Sequence, residues 1–436
     1  MCLFLQRILC RLDTKKVIRM RRNRYLSMKK CLTTKTLAGF AMFFLCSLLA
    51  AKGVAQTGEH TVDALVEMGF ENVGWTEDAD ERVYVLQNSA YRLQGVGIGK
   101  AVDVIQEMGL PEDKPCRIIV MDNYVPQISL YYHPIKGDTV LTAERRDWNV
   151  SYDLQGSWKK VRKVKKKNRS LFKVDIVVYP DLSLQNLVIT QVYTVLFNLD
   201  PTIEVSLWKG AKLNAQVIIP IYNEYGPSYD QIRQGYIGLT QQVRLPYNIF
   251  VTAAIGSFNN SRWGGDLSAV HYFKDERFSV EGRIGYTGRS RFVNWRWKVS
   301  PLKRLTWTLG AGFYWPKYNT QFKLKVEQYL LSEKGVRFEM TRNFRYTSIG
   351  FYAMKVQHAG NKGYNGGFRF QVNLPPYKYK RKGYIPRILP SRSFGLAYNA
   401  GNERYYGKSY SATLGNTIAQ ENSLNPYFIK SELLNF

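Results

Sequence analysis

Four histidines are the first candidates for chemistry in this 436-residue chain: His60, His133, His271 and His358. No two of them stand at a metal-pair spacing. Of five cysteines, Cys2, Cys10, Cys31 and Cys46 fall in the first 55 residues, and Cys116 alone follows. One thiol makes neither a disulfide framework nor a cysteine zinc site. Ser268 precedes His271 by three residues, a nucleophile and a base in one segment. Three positions along a strand put them on opposite faces, out of hydrogen-bond reach, which argues against a barrel-embedded lipid hydrolase. Asp78, Asp80 and Glu81 read as ordinary loop acids, with calcium binding the sharper alternative. QGVGIGK (94–100) has phosphate-loop glycines without the Walker spacing, and a Gly-rich helix N-terminus is its plain account. The residues therefore assign no catalytic group, no cofactor and no metal, and the expectation is a non-enzymatic protein.

Charge is the stronger chemical signal. Lys and Arg number 62 against 34 acids, for a net charge of +28. The first 55 residues contribute +11 and the remainder +17. Such an excess implies an anionic partner. Its densest run is KKVRKVKKKNR, with Lys159, Lys160, Arg162, Lys163, Lys165, Lys166, Lys167 and Arg169. A solvated basic connector is the bland reading, and an anion-binding strip the sharp one.

The start of the chain narrows the partner. From Met28 the sequence reads MKKCLTTKTLAGFAMFFLCSLLAAKGVAQT. Lys29, Lys30 and Lys35 form a positive region, Leu37 to Ala51 an apolar one, and Gly53 and Ala55 supply small residues before a cut at Gln56. Residues 1–55 are thus expected to be a secretory signal peptide, with 1–27 an upstream mis-start and a membrane anchor the alternative. Exported chains seldom meet nucleic acid, so that partner is set aside.

The elements that must position these residues fall into two kinds. Residues 61–132 alternate helical and strand patterns: TVDALVEMGF and GIGKAVDVIQEMGL as helices, ERVYVLQN, CRIIVMD and QISLYY as strands. They suggest a small α/β module. From about Thr202 to Leu374 about 12 segments of about ten residues alternate apolar and polar positions. In LTWTLGAGFYW (305–315), Leu305, Trp307, Leu309, Ala311, Phe313 and Trp315 share one face.

Alternation alone fits a soluble sandwich as well as a membrane barrel. Three features favour the barrel. The segments are longer than the usual strand. Aromatics crowd their ends, at Trp295, Trp297, Tyr314, Trp315, Tyr318, Tyr329 and Tyr346, as in an interfacial girdle. No later apolar run is long enough for a spanning helix. A transmembrane antiparallel β-barrel after a periplasmic α/β module is the expected fold. Its polar set would face a lumen: Lys212, Arg283, Lys323, Lys325, Arg337 and Arg369, among Glu204, Glu281, Glu327 and Glu339. Ion pairing is the common role of such a mixture, and a slight basic excess would favour anionic solutes.

Several stretches carry a family likeness: VYVLQNSAYR, DPTIEVSLWKGAKLNAQVIIPIYN, GSFNNSRWGGDLSAVHYF, RIGYTG, GVRFEMTRNFRYTSIGFYAMKV and NGGFRFQVNLPP. Their order resembles that of the YjbH/GfcD-type outer-membrane proteins of exopolysaccharide and capsule assembly, best from about Pro201 to Pro376. Members are often longer, and many begin as lipoproteins, which the sequence around Cys46 does not suggest. The resemblance implies a barrel in the Gram-negative outer membrane, in contact with membrane lipid, polysaccharide and other secretion proteins of the periplasm and outer membrane. The expected divisions are 1–55, the module with its basic connector over 56–200, the barrel over 201–376, and a basic, aromatic segment over 377–436. A general porin or structural barrel with no glycan role is the competing function.

Overall fold

The apolar spacing of TVDALVEM forms helix α1, Gly58–Met68, with Val62 and Leu65 buried. The structure, a computed structural model, describes residues 58–134, 143–187, 191–293, 296–358, 361–374, 378–400, 407–414 and 423–434. The expected signal peptide lies outside these residues, as does Trp295.

After α1 come strands β1 (Glu71–Glu77) and β2 (Arg82–Gln87), helix α2 (Gln94–Met108), and strands β3 (Cys116–Asp122), β4 (Val125–Tyr132) and β5 (Asn149–Ser151). The five strands form one sheet in sequence order. β2 and β3 run parallel, with α2 as the crossover between them. Leu65, Tyr84, Ile98, Ile105, Ile118, Ile128, Leu130 and Trp148 make its core. Each large apolar side chain so buried stabilises the module by about 1.5–3 kcal/mol. The expected helices and strands of this region are present, and β1 is additional. Its alternation is broken by Gly74 and by a register shift between Glu71 and Gly74.

Helix α2 starts at Gln94, ahead of the start at about Gly99 that GIGKAVDVIQEMGL suggests, and its glycines are packing positions. A Cβ on Gly95 would lie 2.6 Å from Glu432 Oε2, and one on Gly97 2.5 Å from the Asn88 side chain. The helix ends as expected at Gly109, whose N–H returns to the Ile105 carbonyl. The connector folds into short helix α3 (Ser157–Val161).

The second sheet is large and almost wholly antiparallel. It opens with β6 (Val174–Leu187), β7 (Gln191–Trp208), β8 (Ala211–Asn223) and β9 (Arg233–Leu245). It continues with β10 (Ile249–Phe258), β11 (Arg262–Tyr272) and β12 (Phe278–Val293). β13 (Arg296–Val299) pairs with β12 off the main path. Then follow β14 (Arg304–Trp315), β15 (Thr320–Gln328), β16 (Lys334–Asn343), β17 (Thr347–His358) and β18 (Asn361–Asn373). The boundary expected at 200/201 falls inside β7.

The described part of the expected basic, aromatic segment joins the fold. It supplies β19 (Arg387–Pro390), β20 (Ser393–Asn399) and helix α4 (Pro426–Leu434). β19 pairs parallel with β6 and β20 antiparallel with β18, the two ends of the meander. Between them Ser391 N–H bonds the Val178 carbonyl, and the Arg392 carbonyl accepts from Leu374 N–H. Helix α4 buries Ile429 and Leu433 in the module core.

One face of the large sheet is apolar and uncovered. Leu309 is 62 % exposed and Leu324 54 %. Register extends this face from strand to strand. Ile388 sits opposite Ile176, which sits opposite Ile203. Phe278, Phe313, Phe322, Met340, Phe351, Phe368 and Tyr398 form one row across seven strands. Trp297, Trp315, Tyr318 and Tyr346 are exposed near strand ends, as the girdle pattern expects. Tyr314 and Tyr329 are instead buried. Tyr314 follows the alternation to the face opposite Trp315 and stacks on Tyr427 at 6.0 Å. Among the described residues no helix is long and apolar enough to cross a membrane.

Candidate functional site

The other face of the large sheet is polar, and glycine decides how its charges meet. Glu281, Gly310, Lys325 and Arg337 lie in one row across β12, β14, β15 and β16. Gly310 has no side chain, so Glu281 reaches across it. A Cβ there would stand 2.9 Å from Glu281 Cγ and 3.2 Å from Lys325 Cγ. The Glu281 carboxylate thereby binds Lys323 at 3.0 Å and Lys325 at 3.2 Å. Lys325 also pairs with Glu339 at 2.9 Å, and Glu339 with Arg337 at 2.6 Å. Arg337 lies 4.3 Å from the centre of the Tyr352 ring and Arg369 5.7 Å from it. Four of the six expected cations are thus gathered into one ladder, where each acid offsets the desolvation of its neighbours.

Arg283 and Lys212 stand apart from it. Arg283 pairs with Asp266 at 2.9 Å. Lys212 turns to the module and binds Asp122 at 2.9 Å. Glu204 accepts the Tyr179 hydroxyl at 2.6 Å, and Glu327 the Thr308 hydroxyl at 3.3 Å. Ser268 lines the polar face while His271 sits opposite Val280 and Ile249 on the apolar one, the separation expected from their spacing.

A strap of chain crosses this polar face. Tyr410 donates to Asp266 at 2.7 Å, and its ring stacks on Phe258 at 5.4 Å. Its hydroxyl lies over Gly285, where a Cβ would be in collision. Tyr236 donates to the Ala412 carbonyl at 2.9 Å. Gly407 N–H reaches Glu333 at 3.0 Å, and the Lys408 carbonyl accepts from Leu330 N–H. The strap lies near the sheet end that carries the β10–β11 and β15–β16 turns. Helix α4 is bound at the other end, where Ser431 meets Asn319 and Lys430 donates to the Arg146 and Trp148 carbonyls.

Two cavities flank this path. One, of about 510 Å³, is lined by the ladder, Tyr352 and Tyr410. The second, of about 660 Å³, lies between the module and the sheet. Lys173, Arg381, Arg387, Arg392, Tyr179 and Tyr379 face it. Here Glu71 binds Lys173 at 2.9 Å and Arg381 at 3.3 Å, while Asp175 binds Arg381 and Arg387 at 2.5 and 2.8 Å. Module, first strand and C-terminal segment are joined by this network. Further bonds tie the same end: Asn123 to the Ala211 carbonyl at 2.8 Å, Glu276 to Ser151 at 2.6 Å, and Arg244 to the Tyr152 carbonyl.

The connector divides into bound and unbound cations. Lys160 lies between Asp78 at 2.7 Å and Glu81 at 3.1 Å, so the loop acids considered for calcium hold a lysine. Lys167 binds Glu59 and Asp63 at 2.5 and 2.6 Å. Lys166 is buried beneath the end of α3 and donates to the Val164 carbonyl at 3.1 Å. Burial, with Lys209 nearby, pulls its ammonium down to about 8. Lys159, Arg162, Lys163, Lys165 and Arg169 are exposed, and their side chains have no hydrogen-bond or ion-pair partner among the described residues.

Asp266, Tyr410, Gly310 and the Glu71–Asp175 network were not singled out from sequence. The glycines of LGAG were the available signal, since a polar face built of Gly invites long charged neighbours. Cys116 is buried, and burial pushes its thiol up, away from reactivity. Comparisons with family models, curated proteins and solved structures gave no match.

Proposed function

We propose that the large sheet closes on itself as a transmembrane β-barrel of the outer membrane. In this reading the protein serves exopolysaccharide or capsule assembly without catalysing a reaction. One observation carries the barrel: both ends of the meander pair with a single extended run, Arg387–Asn399, at β6 and at β18. A sheet whose last strand returns to its first has no open edge, as lipid requires. The exposed apolar face then meets hydrocarbon, and the polar ladder faces inward.

The glycan role rests on the family resemblance and on the chemistry of the larger cavity. Arginines and lysines there match the carboxylates of an acidic polysaccharide, and tyrosine rings offer flat apolar faces beside polar hydroxyls. The strap through Tyr410 narrows the interior, which weighs against a general porin.

Two measurements test the halves separately. The barrel predicts outer-membrane fractionation and a mobility shift between unboiled and boiled gel samples. A soluble periplasmic protein with no shift would refute it. The glycan role predicts loss of capsule on deletion and binding of acidic polysaccharide to the reconstituted protein. Unchanged capsule together with no binding would refute that part alone.

A further inference from the structure

The exposed cations of the connector, Arg162 to Arg169, lead along the chain to the exposed ring of Phe172. Lys209 Nζ lies 5.9 Å from the centre of the Tyr124 ring, Lys173 Nζ lies 5.9 Å from that of Tyr384, and Arg169 stands three residues before Phe172. Phe172 N–H bonds the Ser206 carbonyl, two residues before Trp208. Phe172 is 64 % exposed, Tyr384 65 % and Trp208 50 %. Phe172 also has a φ of 60°, a left-handed conformation that a bulky residue adopts only under strain. The strained residue leaves its ring mostly exposed.

The patch is continuous with the apolar face of the large sheet. Phe172 lies two residues before the start of β6, and Trp208 ends β7. Between them the apolar row runs through Ile176, Ile203 and Ile388. Lys209, which follows Trp208, and Arg169, which precedes Phe172, therefore lie just beyond the end of the greasy surface, with the rings at its border. This is the order of layers at a membrane surface: hydrocarbon, amphipathic rings, then phosphate.

We propose that Arg162, Lys163, Lys165, Arg169 and Lys209, with Phe172, Trp208 and Tyr384, form a membrane-surface clamp for the phosphates of anionic lipid headgroups at the module end of the sheet. The proposal rests on the barrel reading. A soluble polyanion would satisfy the cations but gives no account of three exposed rings at the edge of the apolar face. The clamp would fix the module against the leaflet and leave its cavity facing the barrel interior.

The experiment uses the full chain in nanodiscs of phosphatidylcholine with or without phosphatidylglycerol. Hydrogen exchange is followed over residues 157–172, and a gel shift reports the folded barrel. With phosphatidylglycerol, exchange of this segment is expected to slow by about tenfold or more, as attraction of a few cations to an anionic surface implies. High salt and the charge reversal R162E/K163E/K165E/R169E should each remove the protection while the gel shift persists. F172S should weaken it at low salt, where the cations are unscreened. Equal exchange in the two lipids, with the barrel folded, would overturn the clamp and leave the barrel standing. Equal protection by inorganic phosphate or alginate in phosphatidylcholine discs would overturn it in favour of a soluble anion. A chain that neither inserts nor shifts would overturn both.

Discussion

Gly310 shows how one residue without a side chain organises a buried charge ladder. Glu281 reaches Lys325 across it, over a strand that contributes no charge to the ladder. Gly310→Ala should destabilise the protein by about 1–3 kcal/mol, because a methyl group is forced between two packed chains. Gly265 is the control, since a Cβ there meets nothing within 4 Å. Gly265→Ala should leave the temperature at which the unboiled band is lost unchanged, while Gly310→Ala lowers it. A second prediction concerns Glu432, 3 % exposed against the first turn of α2. Burial raises its carboxyl to about 7, with Arg345 opposing. The folded state therefore holds its proton more tightly than the unfolded chain does, whose carboxyl titrates near 4.5. Stability from this group is complete below about pH 4.5 and is lost as pH rises to about 7, by up to about 3 kcal/mol. Glu432→Gln should flatten that part of the stability profile, measured by urea unfolding of the module at a series of pH values.

The strap and helix α4 are among the elements that sequence reading did not reveal. The C-terminal stretch KSELLNF gives no strand alternation because it is mostly helix, and Leu433 within it, with Ile429 just before it, belongs to a core more than 270 residues away in the chain. Tyr410 gave no local signal either, since its partners Asp266 and Phe258 come from other strands. The alternating segments were legible because the polar and apolar faces of each strand meet different surroundings, and that contrast is written residue by residue. The expected cations were found on the polar face for the same reason. Their partners depend on register, which one sequence does not state. Tyr410→Ala should remove a ring wedged between Phe258 and Arg283. The expected result is a loss of about 2–4 kcal/mol and higher single-channel conductance in planar bilayers. Tyr410→Phe keeps the ring and loses the bond to Asp266, which Arg283 still neutralises. It should cost about 1 kcal/mol and leave conductance unchanged.

At the scale of the whole molecule, the question is what covers the apolar face. Leu309 sits near the middle of β14, and its register neighbours Val326 and Gly282 place it within a broad apolar field. In water, an arginine at a 62 % exposed position costs a folded protein almost nothing. In hydrocarbon, the same arginine must carry its charge near the midplane of the bilayer, at about 2–4 kcal/mol. Leu309→Arg therefore separates the two surroundings without disturbing the ladder, because the strand's alternation turns it away from Glu281 and Lys325. The expected outcome is reduced folding into liposomes, with urea midpoints shifted to match that cost, and little change in a detergent whose micelle deforms around the charge. Trp315→Arg, at the strand end among the girdle residues, should cost about 0–1 kcal/mol in the same liposomes. Equal and negligible effects at the two positions would mean that no hydrocarbon slab surrounds the sheet. The exposed residues from Ile203 to Phe370 would then need a protein partner to cover them.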